Sequence, residues 1–161
     1  MPKILKIITN PDETLRKKNA KVDFKKVHLK KLNELCLNMS ETMLKSDGVG
    51  LAAPQVGENI RLVVINTKDG QVCMINPEIT KKSLTKEWGE EGCLSVPCVY
   101  GQVRRHKKVT CEYCDARGQK LKMDAEGLLA RVVQHELDHL DGILFIDKAK
   151  KLFVDKGDGK K

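Results

Sequence analysis

The segment His135-Glu136-Leu137-Asp138-His139 limits the possible fold more than any other stretch of this chain. Residues four apart on an α-helix lie one turn above each other. Both imidazoles can therefore meet at one point, with Glu136 beside the same face. Two neutral ring nitrogens suit a first-row divalent metal, and a neighbouring carboxylate can take a proton from water polarised there. The motif thus needs a helix whose working face turns inward. Leu128, Val132, His135 and His139 follow at steps of four, three and four, the spacing of a buried stripe. Asp124 is the expected N-cap of that helix and Gly142 marks its expected end.

The rest of the chain has to bury that face. At 161 residues, with 40% apolar and 32% charged side chains, it is expected to form one domain with a real core. Lys25 to Lys45 reads as a first long helix, because Leu29, Leu32, Cys36, Met39 and Met43 recur at three and four residues and Gly48 stops the run. Asp47 to Gln55 reads as a glycine-containing loop. The texture then changes to strands at Leu62–Ile65 and at Val72–Ile75, the latter ended by Asn76-Pro77. Val109, Cys111 and Tyr113 alternate with Thr110, Glu112 and Cys114. Asp115 to Gly118 is the turn to a returning strand through Leu121 and Met123. A helix, several strands and then the His135 helix imply an α+β fold with antiparallel sheet, not alternating parallel units.

Bulk properties exclude several classes. No apolar run is long enough to span a membrane, and lysines interrupt the start of the chain too early for an export signal, so the cytoplasm is the expected location. Six cysteines at irregular spacing then read as thiols, not as a disulfide framework. The formal charge of +8 comes from lysines concentrated between Arg16 and Lys31 and again after Lys148. With aromatics at only 4%, this is a solvated basic surface and not a base-stacking platform, and no specific nucleic acid is implied.

Two histidines do not complete a metal site. The extended protease pattern H-E-x-x-H-x-x-G-x-x-H keeps its glycine at Gly142, but its last histidine position is Phe145, which cannot ligate. The acidic residues beyond the motif, Asp141, Asp147, Asp155 and Asp158, offer no helical pair. Cys111-x-x-Cys114 has no second knuckle and lies in the alternating run, so both read as strand residues. Cys93 differs. It sits in Glu91-Gly92-Cys93-Leu94-Ser95-Val96-Pro97, where Gly92 allows a close turn and Pro97 ends the segment. Cys93, His135 and His139 together would leave one coordination position open, which is the arrangement of a catalytic metal.

With that set assembled, the chain resembles the peptide deformylases. Gly48-Val49-Gly50-Leu51-Ala52-Ala53-Pro54-Gln55, Glu91-Gly92-Cys93-Leu94-Ser95 and Gln134-His135-Glu136-Leu137-Asp138-His139 are similar to that family's three ordered motifs. Asn10-Pro11-Asp12-Glu13-Thr14-Leu15-Arg16 is similar to its opening, so the likeness runs from about Ile7 to Asp147. The resemblance implies one catalytic domain over residues 1–161 with a short basic tail from about Lys148, in which small antiparallel sheets pack around the metal-binding helix. It implies hydrolysis of the formyl group from N-formyl-methionyl nascent peptides. Cys93, His135 and His139 would hold Fe²⁺, with Zn²⁺ or Ni²⁺ able to replace it. Glu136 would act as base and then acid toward the attacking water, and the Gln55 amide and Leu94 backbone N–H would face the developing oxyanion. Gly48 and Gly50 would let an extended peptide approach, beside Gly92, and Val49, Leu128 and Val132 would line the methionine pocket.

The resemblance also implies a transient association with the ribosome, although the tail here is short and ends Gly157-Asp158-Gly159-Lys160-Lys161. Cys98 stands where relatives commonly have glycine. Two other readings start from parts of the same pattern: a zinc endopeptidase from the H-E-x-x-H helix alone, and a basic RNA- or ribosome-binding module with a structural metal. The second needs a fourth protein ligand, for which Cys98 is the first choice.

Overall fold

The computed structural model describes residues 1–155. The stretch Gly157–Lys161 of the expected basic tail lies outside the described residues. Helix α1 spans Leu29–Lys45 and helix α2 spans Leu128–Leu140. Strands β1 (Gly50–Ala52), β2 (Leu62–Thr67), β3 (Gly70–Lys82), β6 (Lys108–Cys114) and β7 (Lys120–Glu126) form one antiparallel sheet in the order β1-β2-β3-β6-β7. Strands β4 (Lys86–Cys93), β5 (Val96–His106) and β8 (Lys150–Val154) form a second, in the order β4-β5-β8. The fold is α+β, as the residue pattern implies.

Period-two alternation in β2 sorts the core into two layers. Val63 and Ile65 pack with Ala130, Val133, Leu137 and Leu140 of α2, while Leu62 and Val64 pack with Leu32, Cys36, Met39 and Met43 of α1. A third cluster of Leu15, Val96, Val103, Leu144 and Phe145 fills the space beneath the second sheet. Helix α2 consequently lies between two sheets, with every residue from Ala130 to Leu137 buried. Each large apolar side chain so enclosed stabilises the fold by about 1.5–3 kcal/mol relative to exposure.

Several local expectations change. Helix α1 begins four residues late because the Asp23 carboxylate accepts from Lys25 N and its carbonyl from Lys26 and Val27 N, closing a turn before the helix; His28 then caps Lys31 N. It ends at Lys45 with Ser46 as C-cap; Asp47 follows in the left-handed region at φ 55°, and Gly48 N closes onto the Met43 carbonyl. The expected loop from Asp47 to Gln55 contains strand β1 and a 3₁₀ turn over Ala53–Val56. Strand β3 runs through Asn76-Pro77 with a register shift, because the Asn76 side chain takes over pairing by bonding both N and O of Val22. Asp124 does not cap α2. It lies in β7, where its carboxylate accepts from Thr110, and Gly127 at φ 63° precedes the helix. Leu128, expected on the buried stripe, is 68% exposed.

The basic stretch after Lys148 is not simply a tail, since Lys150–Val154 forms β8. Nor are all six cysteines thiols. Packing of α1 across β3 brings Cys36 and Cys73 together as a disulfide, leaving Cys93, Cys98, Cys111 and Cys114 free. Alkylation of denatured, unreduced protein is therefore expected to label four of the six cysteines, and labelling of all six would contradict the bridge. Replacing both Cys36 and Cys73 by Ala should lower the unfolding free energy by about 2–4 kcal/mol in a denaturant titration.

Candidate metal centre

The β4–β5 hairpin brings the remote cysteine to the helix. Cys93 is the last residue of β4 and pairs with Val96, so Leu94 and Ser95 make the connecting turn. Cys93 is thus strand-borne, and Pro97 lies inside β5 instead of ending the segment. Its Sγ lies 3.3 Å from His139 Nε2. The ligand atoms of Cys93, His135 and His139 all fall within 4.8 Å of one another. A thiolate and two imidazoles converging this closely fit a first-row divalent ion.

The tautomer of His135 is set from outside. Its Nδ1–H donates to Glu91 Oε1 at 2.9 Å, which leaves Nε2 for the centre. Glu91 accepts three further bonds, from Arg105 Nε and a terminal Arg105 nitrogen, both at 2.9 Å, and from Arg131 at 2.8 Å. Arg105 also donates to Asp138 at 2.6 Å, and Lys148 reaches the same carboxylate at 3.1 Å. Burial opposes ionisation of Glu91, but its hydrogen bonds to Arg105 and His135 outweigh that and hold the carboxyl far below its usual range. Removing Glu91 would leave two buried guanidinium groups short of a counter-charge, a loss of about 3–5 kcal/mol for a broken buried pair.

Glu136 has the opposite environment. Its Oε2 is buried with no hydrogen-bond partner, and burial pushes the carboxyl up to about 7. A carboxyl in that range exchanges protons near neutral pH. His139 is also enclosed, and burial lowers its pKa well below the usual value. Gln55, 1% exposed, is fixed at both ends of its amide. Its Oε1 accepts from Ala52 N at 2.9 Å, while Nε2 donates to Ser95 Oγ at 3.0 Å and lies 3.6 Å from Cys93 Sγ.

A cleft of about 520 Å³ opens onto these groups. Gly48, Val49, Gly50, Gly92, Leu94, Leu128 and Val132, picked from the sequence, all line it together with Cys93, His135 and Glu136. Gln55 and His139 stand beside Cys93, their Nε2 atoms 3.6 and 3.3 Å from its Sγ. Leu128 is an exposed lip, not part of the buried stripe. Cys98 lines the same cleft, exposed and at φ 65°, a conformation that explains why glycine suits the position. Sequence reasoning singled out neither Arg105 nor Arg131, and Glu91 only as the first residue of the Cys93 motif. The available signal was charge in unusual places: Arg131 inside an otherwise apolar helical run, and Arg105 in a strand.

The same likeness extends to known proteins. Residues 4–154 match the sequence profile described as polypeptide deformylase. The chain belongs to that family. It is 47% identical to the peptide deformylase of Symbiobacterium thermophilum over 97% of this chain and 71% of the relative. It is 46% identical to that of Syntrophomonas wolfei over 95% and 98%. Among solved structures, the peptide deformylase of Thermotoga maritima superposes with a TM-score of 0.86 at 40% identity, covering 91% of this chain and 98% of the other. A Synechococcus elongatus peptide deformylase in complex with actinonin gives 0.85 at 39% identity, over 91% and 79%. The chain is accordingly a hydrolase of the deformylase type with a metal-binding centre, and no helix among the described residues is long and apolar enough to cross a membrane.

Gly50 lies directly against Glu136 in the deformylase cleft. A Cβ there would stand 2.6 Å from Glu136 Oε1. Gly50→Ala should displace the Glu136 carboxylate by about an ångström and lower turnover roughly 10²-fold, with the circular dichroism spectrum retained. Unchanged kcat in a steady-state assay would show that the carboxylate position is not critical.

Proposed function

We propose that the chain removes the formyl group from the amino terminus of nascent N-formyl-methionyl peptides, releasing formate and a free amine. The convergence of Cys93, His135 and His139 beside the unpartnered Glu136 carboxylate carries this reading. The three ligands would hold one divalent ion; thiolate and imidazole donors accommodate Fe²⁺, Zn²⁺ and Ni²⁺ alike, and the family resemblance favours Fe²⁺. When bound, the ion supplies Lewis acidity, which acidifies water and polarises the formyl oxygen.

The remaining steps belong to the protein's own groups. Glu136 takes the proton from the attacking water and passes it to the departing nitrogen, a task suited to a carboxyl with a pKa about 7. The Gln55 amide, held by Ala52 and Ser95, and the Leu94 backbone N–H meet the charge developing on the formyl oxygen. A prepositioned donor of this kind is worth roughly 2.7–4 kcal/mol of barrier. Gly48, Val49 and Gly50 form one wall of the cleft and the segment after Cys93 another, so an extended peptide lies between them and makes main-chain bonds near both. The methionine side chain enters the cleft between Val49, Leu128 and Val132, and Gly48, Gly50 and Gly92 keep the walls low. The reaction takes place in the cytoplasm, in transient association with the ribosome, where formylated chains emerge.

An endopeptidase would share the His135–His139 helix and Glu136, but Phe145 stands where the extended protease pattern needs its third histidine, and Cys93 is the third donor instead. Anaerobically purified protein loaded with Fe²⁺ or Ni²⁺ should release one formate per formyl-Met peptide and leave unblocked peptides intact. No formate from protein shown to hold one ion per chain would sink the proposal. Glu136→Gln should retain the metal and lose about 10²–10⁴-fold in kcat. Normal hydrolysis by that variant would remove Glu136 as the base.

A further inference from the structure

We propose that Arg131 is a positioning residue that sets Cys93 against the two histidines. The inference rests on the metal reading of Cys93, His135 and His139.

Three polar side chains of α2, Arg131, Gln134 and Asp138, recur at steps of three and four and face the second sheet. Gln134 grips both N and O of His106, at 3.0 and 2.9 Å, and Asp138 accepts from Arg105, so both act on the far end of β5. Of the three, Arg131 alone reaches β4, the strand that ends in Cys93. One terminal nitrogen donates to the Val103 carbonyl and to Glu91 Oε2, each at 2.8 Å, and the other donates to the Glu87 carbonyl at 3.0 Å. Its planar fork therefore clamps β4 and β5 together across their Gly89–Val103 pair while also filling a lone-pair site on the carboxylate that orients His135. The cysteine arm and the histidine arm of the centre meet in this one side chain.

Gly89 supplies an independent sign of the same fit. A Cβ at that position would stand 2.7 Å from the Arg131 guanidinium carbon, and Gly89 is not part of the substrate cleft. The strand is thus open at the point where the guanidinium lies against it. Arg131 itself is only 8% exposed, so an added methyl group cannot be relieved by swinging the side chain into solvent without breaking its bonds.

Cobalt substitution reads this directly, because a cobalt–thiolate absorption band reports the geometry at Cys93 independently of turnover. Arg131→Met and Gly89→Ala should each shift that band and weaken Co²⁺ binding about 10–100-fold in chelator competition, the usual effect of losing a group that orients a ligand. Arg131→Lys should fall between wild type and Arg131→Met, since it keeps the charge without the fork. In the Arg131→Met background, Gly89→Ala should add less than about twofold, because the group it would strike is gone. Single variants with wild-type band and affinity overturn the inference, as does a Gly89→Ala effect of full size in the absence of Arg131. If Arg131→Met fails to fold, Gly89→Ala and Arg131→Lys carry the same comparison. Wild-type protein that gives no cobalt–thiolate band overturns the metal reading itself.

Discussion

One carboxylate joins the arms of this molecule. Glu91 accepts from Arg105 twice, from Arg131 and from His135, so its lone-pair sites are filled by two buried cations and one imidazole. Such a group is unfavourable to bury alone and strongly held once complete. It lies on β4, its partners lie on β5 and α2, and the docking of the second sheet on the helix follows from satisfying it. The imidazole of His135, a candidate metal ligand, is thereby fixed by a carboxylate that the two strands and the helix share.

The two glutamates of the site show how burial is used in opposite ways. Glu91 is surrounded by donors and stays ionised, whereas Glu136, one residue from His135, has an oxygen with no partner and is pushed toward neutrality. The first is an anion fixed by its donors; the second has an oxygen that no donor holds. Identical side chains have become different tools because one faces arginines and the other faces a cleft.

The elements readable from sequence were those with a strong period. Helices α1 and α2, and strands β2, β6 and β7, follow from apolar spacing, and the Cys93, His135 and His139 group follows from the chemistry of ligands. Strand β4 escaped because Lys86-Glu-Trp-Gly-Glu-Glu-Gly-Cys93 has no apolar alternation; it is held by its ladder with β5, by Arg131 on the Glu87 carbonyl and by Arg105 and Arg131 on the Glu91 carboxylate. Strand β8 escaped because all its side chains are exposed. The Cys36–Cys73 bridge depends on how α1 lies across β3, which spacing along the chain does not encode. Leu128 shows the limit of the stripe argument, since a helix at a cleft keeps its period past the point where its neighbours stop covering it.

Strand β1 is only three residues long and is paired on one side in its sheet. Gly50, one of its three residues, also lines the cleft, so this wall presents backbone and not a side chain to whatever enters. Backbone is common to every polypeptide, and a wall made of it can tell a chain from other molecules without telling one chain from another.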